Sequence, residues 1–388
     1  MQNFTFWNPV KIIFGEGTIP QIGPETKKYG KKALFVYGKS SIKKNGVYDQ
    51  AVQSLQAAGV EIVEFSGVKP NPVLSHLNEG IALAKGEQAD VVVAVGGGSV
   101  LDESKAIAAG AKSDGDVWDF FLGKREVEDA LPLLTILTLA ATGSEMNCGA
   151  VVTNEETKQK FNVNSPCLFP KVSILDPTTT CTVPMNYTAY GAVDAIAHSI
   201  EGYFTSADSW TPIQDRYVEG LIASIMDSAG RLLKNPADYQ GRASMMWAAT
   251  LALNGLPLAG IGPCGFPNHA IEHSLSALYD IAHGAGLAIV IPGWMKYASQ
   301  KNPAKFAQFA QRVFHMAEDG SPTQTAAKGI EALKAWFKKI GCPVSLADAH
   351  IPSTDIDIIA DNATMLAKKW RLNDYTKETI ANVLSLCQ

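Results

Sequence analysis

The first half of the chain alternates short runs of β-branched and other apolar residues with segments that carry apolar residues at helical spacing. The predicted strands are 33–37, 61–65, 90–95, 133–138 and 172–175. Helices predicted at 48–58 and 73–85 separate the first three strands. Such alternation is typical of βαβ units, in which helices cover both faces of a parallel sheet. The pattern therefore predicts an α/β domain with a Rossmann-like parallel sheet.

The pattern changes at about Pro184. Beyond this residue the strand patterns stop and apolar residues recur at helical spacing, as in the stripe from Phe306 to Ala317. The stretch 177–185, rich in Thr and Pro, is the predicted junction. We therefore expect two domains, an α/β domain at 1–183 and an all-helical domain at 184–388.

The composition narrows the class of protein. Of the 388 residues, 46% are hydrophobic and 18% are charged, which allows a sizeable core. The net charge is −5, the pI is about 5.8 and no long run of Lys or Arg occurs, which disfavours a nucleic-acid surface. We find no signal-peptide pattern and no apolar run of the ~20 residues that a membrane span needs. The six cysteines form no Cys-x-x-Cys pair, so we expect a cytoplasmic protein with reduced thiols.

A glycine-rich turn, 96–99, follows the apolar strand 90–95 and opens a helix predicted from Ser99 to about Ala109. Glycines let the backbone approach a diphosphate closely, and amides at the helix start can donate to its oxygens together with the Ser99 hydroxyl. The turn lacks the last glycine of a Gly-x-Gly-x-x-Gly fingerprint, and a turn that only packs a helix on the sheet is the alternative. Asp102 could likewise interact only with the helix dipole.

Two more turns follow predicted strands. The turn 38–41, Gly-Lys-Ser-Ser, and the residues Ile-Lys-Lys that continue it to Lys44 offer hydroxyls and positive charge but no carboxylate. An NAD site usually places an acid on the ribose hydroxyls, and that acid would repel a 2′-phosphate. This turn therefore favours NADP(H), while a solvated loop is the alternative, above all for Lys43 and Lys44. The turn 138–145 gathers small and hydroxyl residues that could hold a pyrophosphate or the nicotinamide ribose.

Five polar side chains in the second half have the spacing of metal ligands. Asp194 and His198 are four residues apart in a predicted helix, as are His269 and His273, and His283 follows a predicted helix end. Residues i and i+4 lie on one helix face, so each pair can aim at one point. One carboxylate with two or three imidazoles suits Zn²⁺ or Fe²⁺. The alternative is a buried Asp–His pair beside ordinary histidines, which the combination of two pairs disfavours.

These motifs, together with Pro-Asn-Pro at 70–72 and Ala-Thr-Gly-Ser-Glu at 141–145, resemble those of the iron-containing, or group III, alcohol dehydrogenases, in particular the NADPH-dependent butanol dehydrogenase and aldehyde reductase branch. The resemblance runs from Phe6 to near the C-terminus. It implies a dehydroquinate synthase-like fold with an N-terminal dinucleotide-binding domain, an all-α metal-binding domain and an active site in the cleft between them. It also implies a homodimer that acts on a small alcohol or aldehyde such as butanol or butyraldehyde.

The resemblance implies roles for individual residues. Fe²⁺ or Zn²⁺ would be bound by Asp194, His198, His269 and His283, with His273 near the nicotinamide and the substrate. The residues implied in NADP(H) binding are Gly38, Lys39, Ser40, Ser41, Asn71, Gly97, Gly98, Ser99, Asp102, Thr138, Thr142, Lys160, Thr179 and Thr182. Family members that use NAD tend to carry Asp where Lys39 stands here, which supports NADP(H).

The implied reaction is hydride transfer, in which the metal lowers the pKa of an alcohol or polarises a carbonyl. His273 would relay a proton, or orient water or the ribose. Two alternatives stay open. A dehydrogenase of a polyol or phosphorylated polyol on the same fold would need basic residues near the metal, whereas Phe266, Trp247, Leu256 and Ile261 indicate an apolar substrate. A dinucleotide-binding protein without turnover would not need a complete ligand set.

Overall fold

The structure is a computed structural model that describes residues 1–317 and 320–388. It divides into two compact units. We call residues 7–183 and 235–254 the sheet unit, and residues 1–6, 184–234 and 255–388 the helical unit. No helix among the described residues combines the length and the apolar character that crossing a membrane requires.

Eight strands lie in the sheet unit. They are β1 (Lys11–Phe14), β2 (Lys32–Tyr37), β3 (Glu61–Ser66), β4 (Val91–Gly96), β5 (Leu133–Leu137), β6 (Gly149–Asn154), β7 (Gln159–Asn164) and β8 (Val172–Leu175). Six of them form one sheet in the order β1-β8-β5-β4-β2-β3, and all neighbours in it are parallel. The remaining two, β6 and β7, form an antiparallel pair. The predicted Rossmann-like parallel sheet is confirmed.

The α-helices are α1 (Ile22–Thr26), α2 (Ser41–Lys44), α3 (Val47–Ala57), α4 (Leu74–Gly86), α5 (Gly98–Ala111), α6 (Trp118–Leu122), α7 (Met185–Thr205), α8 (Pro212–Lys234), α9 (Tyr239–Ala252), α10 (Pro267–Tyr279), α11 (His283–Ala298), α12 (Pro303–Phe314), α13 (Pro322–Lys339), α14 (Ile356–Lys369) and α15 (Lys377–Ser385). Helices α1–α6 and α9 belong to the sheet unit, and the others form the helical unit. The predicted helical C-terminal half is confirmed.

The core of the sheet unit lies where helices cover the sheet. Every residue of β4, β5 and β8 is buried, as expected for central strands of a covered parallel sheet. Phe35 and Val93 share one hydrophobic cluster with Ala51 and Leu55 of α3, and α5 packs on β4 and β5. This packing fixes the carboxyl ends of the central strands, from which the three predicted turns emerge.

Three strands were not predicted from the sequence, and one helix was predicted to be longer than it is. Strand β1 is a short sheet edge with both its end residues exposed, and β7 carries four polar residues in six, so neither has the pattern of a buried strand. Strand β6, the partner of β7, was missed as well. The stripe expected to continue to Ala317 stops earlier, because α12 ends at Phe314 and His315 adopts a left-handed φ of 54°.

Candidate functional site

Three neighbouring helices of the helical unit carry the predicted metal ligands. Asp194 and His198 lie one turn apart on α7, His269 lies on α10, and His283 begins α11. The Nε2 atoms of His198, His269 and His283 lie 3.6, 3.8 and 3.5 Å from Oδ1 of Asp194. Three imidazole nitrogens therefore surround one carboxylate oxygen, and the structure brings the four predicted ligands together.

Two glycines let α11 reach this cluster. A Cβ atom at Gly284 would overlap the main-chain carbonyl of Tyr190 on α7. A Cβ atom at Gly286 would lie 2.6 Å from Oε1 of Glu272 on α10, closer than real side chains approach. Glycine at both positions therefore permits the tight packing of α11 on its two neighbours, and that packing places His283 beside Asp194.

Two polar atoms at the centre of the cluster are buried and have no hydrogen-bond partner within residues 1–317 and 320–388. They are Oδ1 of Asp194 and Nε2 of His269, which lie 3.8 Å apart, beyond hydrogen-bonding distance. Leaving a buried carboxylate oxygen without a partner is costly. A divalent cation bound by one carboxylate and three imidazoles would satisfy both atoms, so the residues present fit Zn²⁺ or Fe²⁺.

Burial and neighbouring charges set the protonation of the cluster. Burial acts to raise the pKa of Asp194, but the imidazoles of His198, His283 and His269 outweigh it and hold that pKa well below its usual range. Burial lowers the pKa of His198 to about 3. Burial also acts to lower the pKa of His269, but the carboxylates of Asp194 and Glu201 raise it to about 9. A metal must displace the proton of His269, so we expect metal binding to release protons.

A buried glutamate holds His269 from the side opposite Asp194. Oε1 of Glu201 lies 3.0 Å from Nδ1 of His269 and accepts a hydrogen bond from the main-chain N–H of the same residue at 3.1 Å. Its Oε2 accepts from the side-chain amide of Asn268 at 3.0 Å. Glu201 was not predicted from the sequence, although its position three residues after His198 places it near the same face of α7.

A second buried glutamate contacts His283 in the same way. Oε2 of Glu272 contacts Nδ1 of His283, and its Oε1 accepts a hydrogen bond from the hydroxyl of Ser276 at 2.5 Å. Glu272 also lies three residues after a predicted ligand, His269, and this spacing was the signal available in the sequence. The cluster thus contains two carboxylates that the sequence analysis missed.

His273 lies beside the four predicted ligands. Its ring centroid is 5.5 Å from that of His283 and 6.4 Å from that of His269. The ring of Trp370, just after α14, lies 5.7 Å from the His273 ring in a T-shaped arrangement. Phe266 lies 5.6 Å from the ring of His269. Aromatic side chains therefore border the histidines, as expected for Phe266, whereas Trp370 was not foreseen.

The other three apolar residues expected near the ligands have contacts within their own units. Ile261 packs toward Gly202 of α7, where an added Cβ would lie 2.9 Å from its side chain. Leu256 begins a short 3₁₀ turn. Trp247 belongs to the sheet unit, where its ring packs against Phe14 at 5.9 Å.

The glycine turn lies at the carboxyl end of β4. Strand β4 ends at Gly96, Gly97 is extended and α5 begins at Gly98, one residue before the predicted start. A Cβ atom at Gly98 would overlap the side chain of Thr142, so a glycine here lets the turn 138–145 approach the start of α5. Gly97, Gly98 and Thr142 therefore lie close together.

Three other residues that the resemblance implied in coenzyme binding, Ser99, Asn71 and Lys160, make hydrogen bonds in the same region. The Ser99 hydroxyl donates to the main-chain carbonyl of Pro70. The next residue, Asn71, accepts a hydrogen bond from Lys160 at 3.1 Å. The start of α5, the Pro-Asn-Pro segment and strand β7 are therefore held side by side.

Asp102 and Lys105 tie α5 to the segment after β5. Asp102 accepts hydrogen bonds from the Ser144 hydroxyl at 2.6 Å and from the main-chain N–H of Val151 at 3.1 Å. Both its oxygens are thus used within the protein, which supports a structural contribution beside the implied coenzyme role. Lys105 is fully buried and donates to the carbonyl of Asn147 at 2.9 Å. Burial lowers the pKa of Lys105 to about 8.

The turn 38–41 follows β2, and its Lys39, Ser40 and Ser41 are exposed. The acid on the neighbouring strand, Glu64, accepts hydrogen bonds from the hydroxyls of Tyr37 and Tyr48, each at 2.6 Å. Lys43 lies 3.8 Å from Glu64 and 4.5 Å from the centroid of the Tyr48 ring. Lys43 thus forms an ion pair with Glu64, and both side chains also contact tyrosines.

The remaining predicted coenzyme residues are threonines after the central strands. Thr138 directly follows β5. Thr179 lies after β8, and its hydroxyl donates to the carbonyl of Leu137 at 2.8 Å. The hydroxyl of Thr182 accepts from Asn45 at 3.3 Å. They lie at the carboxyl ends of the strands, where parallel sheets bind ligands.

The model of the family "Iron-containing alcohol dehydrogenase" matches residues 9–177, and the model "Fe-containing alcohol dehydrogenase family, C-terminal" matches residues 188–388. A probable NADH-dependent butanol dehydrogenase of Bacillus subtilis is 46% identical over 386 residues, which cover 99% of both chains. An NADPH-dependent aldehyde reductase of Escherichia coli is 37% identical, with 92% of this chain and 91% of that protein covered. Among solved structures, that of NADH-dependent butanol dehydrogenase A from Thermotoga maritima is 52% identical with a TM-score of 0.96, and covers 100% of this chain and 99% of that chain.

Proposed function

The chain belongs to the iron-containing alcohol dehydrogenase family, and on that premise we propose that it reduces a small aliphatic aldehyde such as butyraldehyde, or oxidises the corresponding alcohol, with NADP(H). The observation that carries this proposal is the convergence of three imidazole Nε2 atoms on Oδ1 of Asp194. We assign a divalent metal, Fe²⁺ or Zn²⁺, to the ligands Asp194, His198, His269 and His283.

The metal, when bound, supplies a Lewis acid that polarises a carbonyl oxygen or favours loss of an alcohol proton. The protein holds its ligands rigidly, since Asp194 and His198 lie on one buried helix and Glu201 contacts the outer nitrogen of His269. A charge that develops on the substrate oxygen is therefore stabilised without rearrangement of the site. Burial of the cluster strengthens that stabilisation, because water screens it less.

We propose that His273 moves the proton between the substrate oxygen and solvent. It is 5% exposed and its ring lies beside those of His269 and His283 without belonging to the four ligands. Histidine suits this role because its ordinary pKa, about 6.5, is close to neutral pH. If His273→Ala, with the metal retained, leaves both the rate and its pH profile unchanged, this assignment is wrong.

The aromatic side chains next to the histidines favour an apolar substrate. Phe266 borders His269 and Trp370 borders His273. Leu372 lies against the main chain of Gly265, where an added Cβ would approach it to 2.6 Å. These residues carry no cationic group for a substrate phosphate, which supports a small aliphatic aldehyde over a phosphorylated polyol.

The turn 38–41 supports NADP(H) as the preferred coenzyme. It offers Lys39 and two exposed serine hydroxyls, and the acid on the neighbouring strand, Glu64, is bonded to two tyrosines. A positive charge and hydroxyls favour a 2′-phosphate, whereas an acid would favour the hydroxyls of NAD. The relatives carry both names, NADH-dependent and NADPH-dependent, so the coenzyme must be measured on this chain.

We further propose that the chain acts in the cytoplasm as a homodimer, which the resemblance to its family implies. Light scattering after gel filtration tests the assembly. A homodimer has twice the chain mass of 41.5 kDa, and a single chain mass would contradict it.

The test of the proposed activity is oxidation of NADPH and of NADH with butyraldehyde, using apoprotein reloaded separately with Fe²⁺, Zn²⁺ and Mg²⁺. We expect turnover with Fe²⁺ or Zn²⁺ and a higher kcat/KM for NADPH. Oxidation of glycerol and of glycerol phosphate is assayed in parallel. Turnover only with the phosphorylated alcohol, or none with any metal, would contradict the proposal, while a preference for NADH would contradict the coenzyme assignment alone.

A further inference from the structure

We propose that Glu272 is the positioning residue that orients His283 toward the metal, with Glu201 doing the same for His269. The inference rests on the metal centre of the proposed function and extends it to residues outside the ligand set. In each pair the glutamate contacts Nδ1, while Nε2 of the same ring faces Asp194. Carboxylates in this position fix the tautomer and the ring orientation of a metal-binding histidine.

His283 needs such support more than the other ligands. Its side chain is 23% exposed, against 6% for that of His198 and 5% for that of His269. It is also the first residue of α11 and directly follows the loop 280–282. An imidazole that is partly exposed can turn about its χ2 bond and present either nitrogen, so a contact at Nδ1 decides which nitrogen faces Asp194.

Glu272 is itself held in place from several sides. It is fully buried on α10. Its Oε1 accepts a hydrogen bond from the Ser276 hydroxyl, one turn further along the helix, at 2.5 Å. The backbone of α11 closes over it at Gly286, where an added Cβ would lie 2.6 Å from Oε1 and 2.8 Å from Cγ. The carboxylate therefore has little freedom, and it transmits this rigidity to His283.

The arrangement differs from one histidine to the next. The outer nitrogen Nδ1 of His198 has no hydrogen-bond partner in the part of the chain that the structure describes. His198 is instead positioned by its helix, because Asp194 lies one turn before it on α7. The two glutamates thus serve the ligands that come from the second and third helices, where no carboxylate ligand shares the helix.

The two glutamates also add negative charge around a cation. Together with Asp194 they place three carboxylates about three imidazoles, and a carboxylate bonded to a ligand imidazole makes it a better donor. We therefore expect both glutamates to raise metal affinity. Loss of such a partner typically weakens metal binding by about 10- to 100-fold.

The experiment measures Zn²⁺ affinity by competition with a chromophoric chelator and records the visible spectrum of the Co²⁺-loaded protein. The variants are Glu272→Gln and Glu201→Gln, each as the full chain. Glu219→Gln is the matched control, because Glu219 is also a buried glutamate of the helical unit but accepts from Tyr203 at 2.9 Å and Arg312 at 3.1 Å. The thermal midpoint of each apoprotein reports effects on folding alone.

We expect Glu272→Gln to weaken Zn²⁺ binding by about 10- to 100-fold and to alter the Co²⁺ spectrum, since the coordination geometry loosens. Glu219→Gln should change the thermal midpoint only. Zn²⁺ affinity and a Co²⁺ spectrum within error of the wild type in Glu272→Gln would overturn the inference. If that variant does not fold, Ser276→Ala decides, because it removes only the hydroxyl that holds Oε1.

Loss of the metal centre and loss of the positioning role would give different results. If the wild-type chain binds no stoichiometric Zn²⁺ or Co²⁺, the metal centre of the proposed function is wrong. If the wild type binds one equivalent and all glutamate variants bind it equally well, the metal centre stands and only the positioning role of Glu272 and Glu201 is wrong.

Discussion

The two candidate sites of this protein are built from different parts of the chain. The turns of the sheet unit offer main-chain amides, glycines that permit close approach, and exposed side chains such as Lys39. The cluster of the helical unit consists of buried side chains, with Asp194 2% and His269 4% exposed. Backbone turns of this kind can accept several related ligands, whereas a buried set of one carboxylate and three imidazoles admits little except a metal.

This difference decides how far each site can be tested by mutation. A buried ligand set fails as a unit when one member is removed, because the remaining polar groups stay buried without a partner. A turn tolerates substitutions, but a substitution can change which of several related ligands it prefers. We therefore expect substitutions in the cluster to remove metal and activity. Substitutions in the sheet unit, or at Phe266 and Trp370, which we call the aromatic border, should change specificity instead.

The largest effect is expected for the double variant His269→Ala, His283→Ala. It removes two of the four proposed ligands, so the purified protein should hold no stoichiometric metal. Because Lewis-acid stabilisation is worth several kcal/mol, aldehyde reduction should fall by at least ~10³-fold. Metal analysis and steady-state rates measure both outcomes.

The control for this variant is His350→Asn, in the same unit. His350 is exposed and has a left-handed φ of 57°, which Asn tolerates. It should retain both metal and activity. A double variant that still binds one metal per chain would contradict the ligand assignment.

A smaller effect is expected for Lys39→Asp in the turn 38–41. The change replaces an attractive charge next to the proposed 2′-phosphate with a repulsive one. Replacing a positive by a negative charge at contact distance weakens binding of the 2′-phosphate by a few kcal/mol. The ratio of kcat/KM for NADPH to that for NADH should therefore fall by about 100-fold. Measured kcat/KM values for both coenzymes give this ratio.

Lys44→Asp makes the same change in charge on an exposed residue of α2 and should leave the ratio within about twofold, since exposed charges beyond a contact are screened. An unchanged ratio in Lys39→Asp, or an equal fall in Lys44→Asp, would show that the turn does not recognise the 2′-phosphate.

The smallest effect is expected at the aromatic border. Trp370→Ala removes the ring that packs against His273 and should admit longer aldehydes. Because each methylene in an apolar pocket is worth about 1–3 kcal/mol, kcat/KM for octanal relative to butyraldehyde should rise about tenfold. The control is Trp336→Ala on α13, where the ring packs on Phe337 at 5.8 Å. An equal rise in both variants, or none in Trp370→Ala, would exclude Trp370 as a limit on substrate length.

The sequence was most informative where spacing alone determines geometry. Residues four apart in a helix must share a face, so the pairing of Asp194 with His198 follows from their positions in the chain. The glycine turn was found because it follows an apolar strand. The strand at Lys11–Phe14 was missed because it is a sheet edge with both end residues exposed, unlike the equally short but fully buried strand at Val172–Leu175, which was predicted.

Contacts between helices could not be predicted in this way. Glu272 reaches His283 only because α11 packs on α10 at Gly286, and that packing depends on tertiary structure. Trp370 lies about a hundred residues from His273 along the chain, and its ring reaches the cluster through the packing of α14 on α10. Side chains that support or border a site through packing between helices therefore cannot be predicted from local spacing in the sequence.

We propose that one metal, bound by Asp194 and three histidines, makes this chain an aldehyde reductase. The most direct test titrates Zn²⁺ or Fe²⁺ into the apoprotein while NADPH-dependent reduction of butyraldehyde is followed. We expect activity to rise linearly and to stop rising at one equivalent per chain, and we expect no rise for the His269→Ala, His283→Ala protein. Full activity in metal-free protein, or equal activation of the double variant, would contradict it.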